Sequence, residues 1–295
     1  MTPSQADRLA TGVFWAGAAM VIIILTGLLG FIFYHGIQAI DIKFLTSPPE
    51  FISAGGGIAP QIFNSFYLLF LTMFITLPVA LLAGIYLAEY AGRSNKIAEG
   101  IRLSIETLSS LPSIVVGLFG LLIFVNMTGW GYTLMSGALA LTIINLPLMV
   151  RVSEEAIHGV SPEIREGSLA LGASRWQTMW RVILPTAFPV IVTGFIITAG
   201  RIFGEAAALL YTAGMSSPAL NFTNFDITSP SSPLNPFRPA ETLAVHIWKI
   251  NSEGLIPDVR RVADGSAAVL VIIVLGFNVL ARWISRIIER RLTAA

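Results

Sequence analysis

Arg201 and Glu205 are the one pair of opposite charges that falls inside an apolar stretch of this 295-residue chain. Four residues apart, they would share one face of a helix. A charge at membrane depth is costly and faces a cavity or a partner. Two roles fit the pair. The charges could neutralise each other and fix helix packing. Alternatively, the Arg201 guanidinium could lie beside the path of an anion, its planar fork suited to the oxygens of an oxyanion. Glu205 would then keep it from binding too tightly for release. Asn64, Ser65, Ser110, Ser113 and Asn145 also lie in or near apolar stretches, where they either line a path or hydrogen-bond between helices. Pro112-Ser113 sets a kink beside a hydroxyl, a shape that suits a gate.

A second group sits in a polar connector over residues 154–185, at Glu166, Gly172, Leu184 and Pro185. Ser161-Pro162-Glu163 offers an N-cap hydroxyl, a proline at the first helical position and an acid in the first turn. Gly172 can end that helix, and Ser174 can cap a second one over Arg175–Val182, with Pro185 expected to terminate it. Leu169, Leu171, Trp176, Met179 and Trp180 give the two short helices an apolar surface that lipid alone does not require.

Other chemistries are excluded. The chain has no cysteine, which removes disulfides and thiolate chemistry. His35, His158 and His246 are far apart, so no metal-ligand spacing and no metal site is read. No GxxxxGK[ST] phosphate-binding loop is present. No Asp or His lies within the apolar cores, so an intramembrane enzyme lacks its catalytic pair.

The elements that must position these groups are membrane helices. Hydrophobic residues make up 55% of the chain and charged residues 12%, with a mean hydropathy of +0.76. Soluble domains carry about 25% charge, so a hydrophobic solvent is implied, and a net charge of +1 gives no sign of nucleic-acid binding. Six stretches are long enough to cross a bilayer: Gly12–Tyr34, Ile62–Ala88, Leu108–Met127, Tyr132–Val150, Thr186–Tyr211 and Ser266–Ile287. Pro112 and Pro147 interrupt the third and fourth. The first is too long for a signal-peptide core and is read as a retained anchor. With the N-terminus inside, twelve Lys and Arg residues face the cytoplasm, Arg93, Arg290 and Arg291 among them, and five face outward. The positive-inside rule therefore places both termini in the cytoplasm. The organisation expected is an anchor and first outer loop over 1–61, a core over 62–287 that holds the other five stretches with an outer loop at 212–264, and a tail at 288–295. In the outer loop, Leu243, Ile247 and Ile250 share a helical face over Glu241–Ile250.

Glu166-Gly167-Ser168, three residues, Gly172, nine residues, then Val182-Ile183-Leu184-Pro185 resembles the EAA loop of type I ABC importer permeases. Gly167-Ser168 stands for Ala-Ala and Val182 for Ile. Further segments resemble the phosphate-specific branch, in its A-type (PstA-like) permease: Ala54–Ile58, Leu82–Tyr90, Leu111–Phe119 and Gly200–Leu210, the last where that branch usually has Ala-Arg and Glu-Thr-Ala-Pro.

The resemblance implies an all-α polytopic protein with a six-helix, MetI-like permease core in the inner (plasma) membrane. It implies inorganic phosphate as cargo and no cofactor in this chain, ATP being bound by a partner. The partners implied are an ABC ATPase dimer docking on the 154–185 loop, a paralogous C-type permease and an extracytoplasmic phosphate-binding protein. The loop itself says nothing about cargo, and a permease for tungstate, molybdate or sulfate would share it. An ion channel would need no ATPase-docking motif.

Overall fold

The computed structural model describes residues 3–50, 54–91, 95–254 and 257–293, and every element among them is helical. Arg93 lies outside the described residues, as do the side chains of Arg290 and Arg291 and the last two residues of the tail.

Helix α1 (Pro3–Gly36) carries the first apolar stretch and stands exposed to its surroundings over most of its length. It meets α12 near its end, where Gly36 abuts Asp264 and Ala268. A short α2 (Ile42–Thr46), capped by Asp41, leads to α3 (Ala59–Ile85), which runs on through a wide π turn at Tyr86–Tyr90. Helix α4 (Lys96–Ser109) is amphipathic, with Glu99, Arg102 and Glu106 among its residues. It is followed by α5 (Ser113–Gly120), extended by a π turn to Met127.

The expected third span, Leu108–Met127, is therefore not one straight helix. The chain bends by 102° between α4 and α5, at Leu111-Pro112, because a residue before proline is pushed out of the helical region. The apolar part, fifteen residues from Ser113 to Met127, reaches roughly 22 Å. Five helices are long and apolar enough to cross a bilayer, or six if the bent pair counts as one.

Helix α6 (Leu134–His158), capped by Thr133, passes through Pro147 unbroken. Then come α7 (Pro162–Ala170), α8 (Arg175–Thr178) and α9 (Leu184–Phe203), with a π turn at Met179–Ile183 joining α8 to α9. Pro185 does not terminate the second helix of the connector as expected, since Arg175–Phe203 is one continuous element. Proline needs relief at the carbonyl four residues back. The π turn supplies it by pairing Leu184 N–H with Met179 O, five residues back.

The expected fifth span also stops early. Gly204 ends α9, and α10 (Ala207–Leu210) begins after a break at Glu205-Ala206. Helix α11 (Leu243–Glu253) lies within the long loop, and α12 (Val259–Thr293) closes the bundle.

Packing is closest where small residues meet. A Cβ on Gly84 of α3 would lie 2.5 Å from the Ser153 Cβ of α6. Thr76 Oγ1 donates to Thr142 Oγ1 (3.1 Å) across the same pair. One large apolar core, including Leu68, Leu141, Phe203, Leu209 and Leu243, joins α3, α6, α9, α10 and α11. A second lies beneath α7 and gathers Ile85, Ala88, Ile157, Met179 and Ile183. Since α9 crosses the bundle, α7 and α11 mark opposite ends.

Candidate functional site

The 154–185 connector forms a raised platform. Ser161 precedes α7 with Pro162 at the first helical position, but its hydroxyl does not cap the backbone. It bonds the Glu163 carboxylate instead. That bond and Glu163's own backbone N–H hold the carboxyl below its ordinary range. Gly172 adopts φ +85°, a left-handed conformation that costs other residues about 1–2 kcal/mol. Gly172 N–H donates to Leu169 O (3.0 Å) and Ala173 N–H to Ser168 O (3.3 Å), which closes α7 in a Schellman turn. Ser174 then caps α8 in a reciprocal capping box with Gln177.

No residue of α7 is buried. Glu166 is exposed, and among the described residues no ion pair holds it. Leu171 is 91% exposed and Trp176 59%, with Trp180, Leu169 and Ile164 exposed near them. Trp176 and Trp180 stack obliquely at 5.2 Å. Leu184 is half-buried at the head of α9, and Pro185 is exposed beside it. Acid, glycine turn and apolar surface are thus brought to one end of the bundle.

The structure separates Arg201 from Glu205. Arg201 is an exposed residue in the last turn of α9, whereas Glu205 lies beyond the helix end. No ion pair joins them among the described residues. Glu205 Oε1 instead accepts from Ala208 N–H (3.4 Å) at the start of α10. Helical spacing does not survive a glycine that ends the helix, so the mutual ion pair falls away as a packing device. Pro112 forms the N-cap of α5 and Ser113 its first residue, at the bend. Glycine lets α5 close on α10 there, since a Cβ on Gly117 would sit 2.8 Å from Ala208 Cα.

A polar network at the α11 end was not legible from the chain. Arg238, 1% exposed, donates through Nη2 to Asn64 Oδ1 (2.8 Å) and Pro233 O (3.1 Å), and through Nε to Ser232 O (3.1 Å). Its partners are all neutral, and burial pushes its pKa down to about 10. Glu241 Oε1 lies 3.1 Å from His246 Nδ1 and 3.6 Å from Lys249 Nζ. Gln61 Nε2 donates to Glu241 Oε2 (3.0 Å). Burial raises the Glu241 carboxyl, but His246, Lys249 and Gln61 outweigh it and hold the carboxyl below its ordinary range. Asn64 donates to Glu241 O (3.0 Å), and Ser65 Oγ accepts from Leu243 N–H (2.8 Å). Beside this network a cavity of about 560 Å³ opens between Gln61, Ser216, Ser217, Phe222, Glu241 and Lys249. Asn64 and Ser65 therefore tie α3 to α11. Ser110 and Asn145 bond carbonyls of their own helices, at Thr107 and Leu141. Among the described residues no group of His, Asp and Glu could hold a metal ion.

Comparison with known proteins gives three findings. The family model described as "Binding-protein-dependent transport system inner membrane component" matches residues 80–294. The chain is 56% identical to "Probable ABC transporter permease protein YqgI" of Bacillus subtilis, over 98% of each chain. It is 34% identical to "Phosphate transport system permease protein PstA" of Yersinia pestis, over 81% of this chain and 75% of that one. Among solved structures, it is similar to a bacterial alginate ABC transporter in complex with a periplasmic protein (TM-score 0.62, 17% identity, 98% and 96% of the two chains). It is also similar to the MetNI methionine ABC transporter (TM-score 0.57, 20% identity, 79% and 94%). At such identities these two likenesses concern the fold alone.

Proposed function

The chain belongs to the family of inner membrane components of binding-protein-dependent transport systems, and from that premise we propose that it moves inorganic phosphate into the cell. It is a multi-pass ABC importer permease with a MetI-like fold, and the ATPase is a separate subunit. An ATPase and a binding protein accompany such permeases. The finer assignments are ours: a paralogous C-type permease beside this chain, two ATPase copies in the complex with one of them docked on the connector of this chain through Glu166, Gly172, Leu184 and Pro185, and cytoplasmic termini.

The observation that carries the phosphate reading is the match to the phosphate transport permease of Yersinia pestis across 242 residues. The local chemistry agrees with it. Arg201 presents at the end of a membrane helix a guanidinium that no ion pair holds among the described residues, and Pro112-Ser113 places a bend where a path can be gated. The experiment is uptake of radiolabelled phosphate by the complete complex in phospholipid vesicles, with sulfate, molybdate and tungstate as competitors. No phosphate accumulated by the wild-type complex, with one of the other oxyanions taken up in its place, would transfer the assignment to that oxyanion.

A further inference from the structure

Besides the local bond of Glu163 to Ser161, two side-chain polar links leave α7 among the described residues. Ser168 Oγ meets Thr178 Oγ1 at 2.9 Å, inside the same connector. Arg165 Nη1 meets Glu89 Oε2 at 2.9 Å. Glu89 belongs to the π turn at the end of α3, so this ion pair is a direct polar tie from α7 to a membrane helix that does not flank the connector. It is partly shielded, with side-chain exposures of 26% for Arg165 and 7% for Glu89. The π turn is also held from the side, since Arg102 donates to Leu87 O (3.1 Å) and to Glu154 Oε1 (2.8 Å) on α6.

We propose that the Glu89–Arg165 pair is the strut through which displacement of α7 reaches α3, and hence the packed α3–α6 core. The inference rests on the reading of α7 as the ATPase-docking helix and adds how its movement is passed on. Three observations converge on it. Helix α7 has no buried residue of its own, so it moves with what it is tied to. The two π turns, Tyr86–Tyr90 and Met179–Ile183, contribute Ala88, Met179 and Ile183 to one apolar cluster. Such turns occur frequently at functional sites. At the far end of α3, Gln61 and Asn64 anchor the outer network, so a push at Glu89 acts along a helix fixed at its other end. Glu89 and Arg165 are positioning residues and touch no substrate.

The test uses the complete complex in phospholipid vesicles, with Glu89→Gln, Arg165→Gln, the double variant and Arg165→Lys. Three quantities are read: ATPase retained on pull-down, ATP hydrolysed, and radiolabelled inorganic phosphate taken up. Retained ATPase should stay within about two-fold of wild type, as docking is untouched. Phosphate moved per ATP should fall at least about five-fold in each Gln variant, the low end of coupling between sites. The double variant should fall no further, since both changes cut one link, and Arg165→Lys should keep most of the ratio. An unchanged ratio, losses that multiply in the double variant, or ATPase lost with Glu89→Gln would each overturn the proposal. Should Glu89→Gln fail to insert, Arg165→Gln cuts the same link from outside the membrane and decides the matter by the same ratio. A wild-type complex that takes up no phosphate sinks the cargo reading instead. The strut is then read from stimulation of ATP hydrolysis by the binding protein, present in wild type and lost in the Gln variants. ATPase retained in full by Glu166→Lys sinks the docking reading, whatever the strut variants do.

Discussion

The two ends of the bundle handle their charges in opposite ways. At the α11 end, Arg238 and Glu241 are buried and held by bonds within the chain, and α3 is locked to α11 through Gln61, Asn64 and Ser65. At the α7 end, the helix buries nothing, Glu166 is exposed, and Leu171 and Trp176 face outward. A buried charge must be satisfied inside the molecule or it costs several kcal/mol, and Arg238 is met there by Asn64, Ser232 and Pro233. An exposed apolar cluster beside an uncommitted acid is completed by a partner. The difference places buried, bonded charge at one end and an exposed acid at the other.

The sharpest way to break that contrast is at the connector. Glu166→Lys and Gly172→Asp should leave the protein inserted, yet reduce ATPase pull-down and transport to background. The first puts a cation into an interface built for an acid, and the second strains a backbone at φ +85°. Thermal stability of the isolated chain should change little with Glu166→Lys, as for surface positions generally, and should fall by about 1–2 kcal/mol with Gly172→Asp. Normal transport by both variants would remove the docking face.

Arg238→Met should do the reverse. It leaves Asn64 Oδ1, Ser232 O and Pro233 O without their donor, a loss on the order of 3–5 kcal/mol. A clearly lower unfolding temperature in detergent is expected, with ATPase pull-down kept by the protein that remains folded. Unaltered unfolding would mean the α11 end is not locked by this network.

The contrast also explains what could be read from residues alone. The connector was legible because its signals are local: Ser161-Pro162 starts α7, Gly172 ends it and Ser174 caps α8. The outer network joins residues 174 to 185 positions apart, and no spacing rule reports such contacts. The failures were local rules overridden. Pro185 sits in a continuous helix because the π turn at Met179–Ile183 makes room for it. Gly204 and the Leu111-Pro112 step, by contrast, broke helices that apolar composition alone extended. Helical spacing paired Arg201 with Glu205, and the early end of α9 undid the pairing.

Arg201, in the last turn of α9, tests whether the path has its own charge requirement. With no ion pair to Glu205, Arg201→Gln strands no carboxylate partner, so assembly and stability should hold. Loss of one charge-assisted contact to an anion is worth roughly 1.5–3 kcal/mol, which predicts phosphate uptake lowered about tenfold or more. Near-normal uptake by an assembled variant would reject Arg201 as a path residue.

The finest discrimination between the ends is by pH. Glu241 and Glu163 both have carboxyls held below the ordinary range, one among buried partners and the other exposed on the first turn of α7. For Glu241 the unfolded chain takes up its proton near the ordinary value of 4.5, while the folded chain takes it up at lower pH. Between the two values the unfolded state binds more protons, so this group's stabilisation is present above 4.5 and is lost as pH falls through the folded value. Thermal unfolding in detergent, followed from pH 6 to pH 3, should show wild type losing stability faster than Glu241→Gln as pH falls below the ordinary value. The same difference curve for Glu163→Gln should be nearly flat, because solvent screens an exposed carboxylate. Parallel profiles for wild type and Glu241→Gln would show that the Glu241 carboxylate contributes nothing to the locked end, and the contrast would then rest on Arg238 alone.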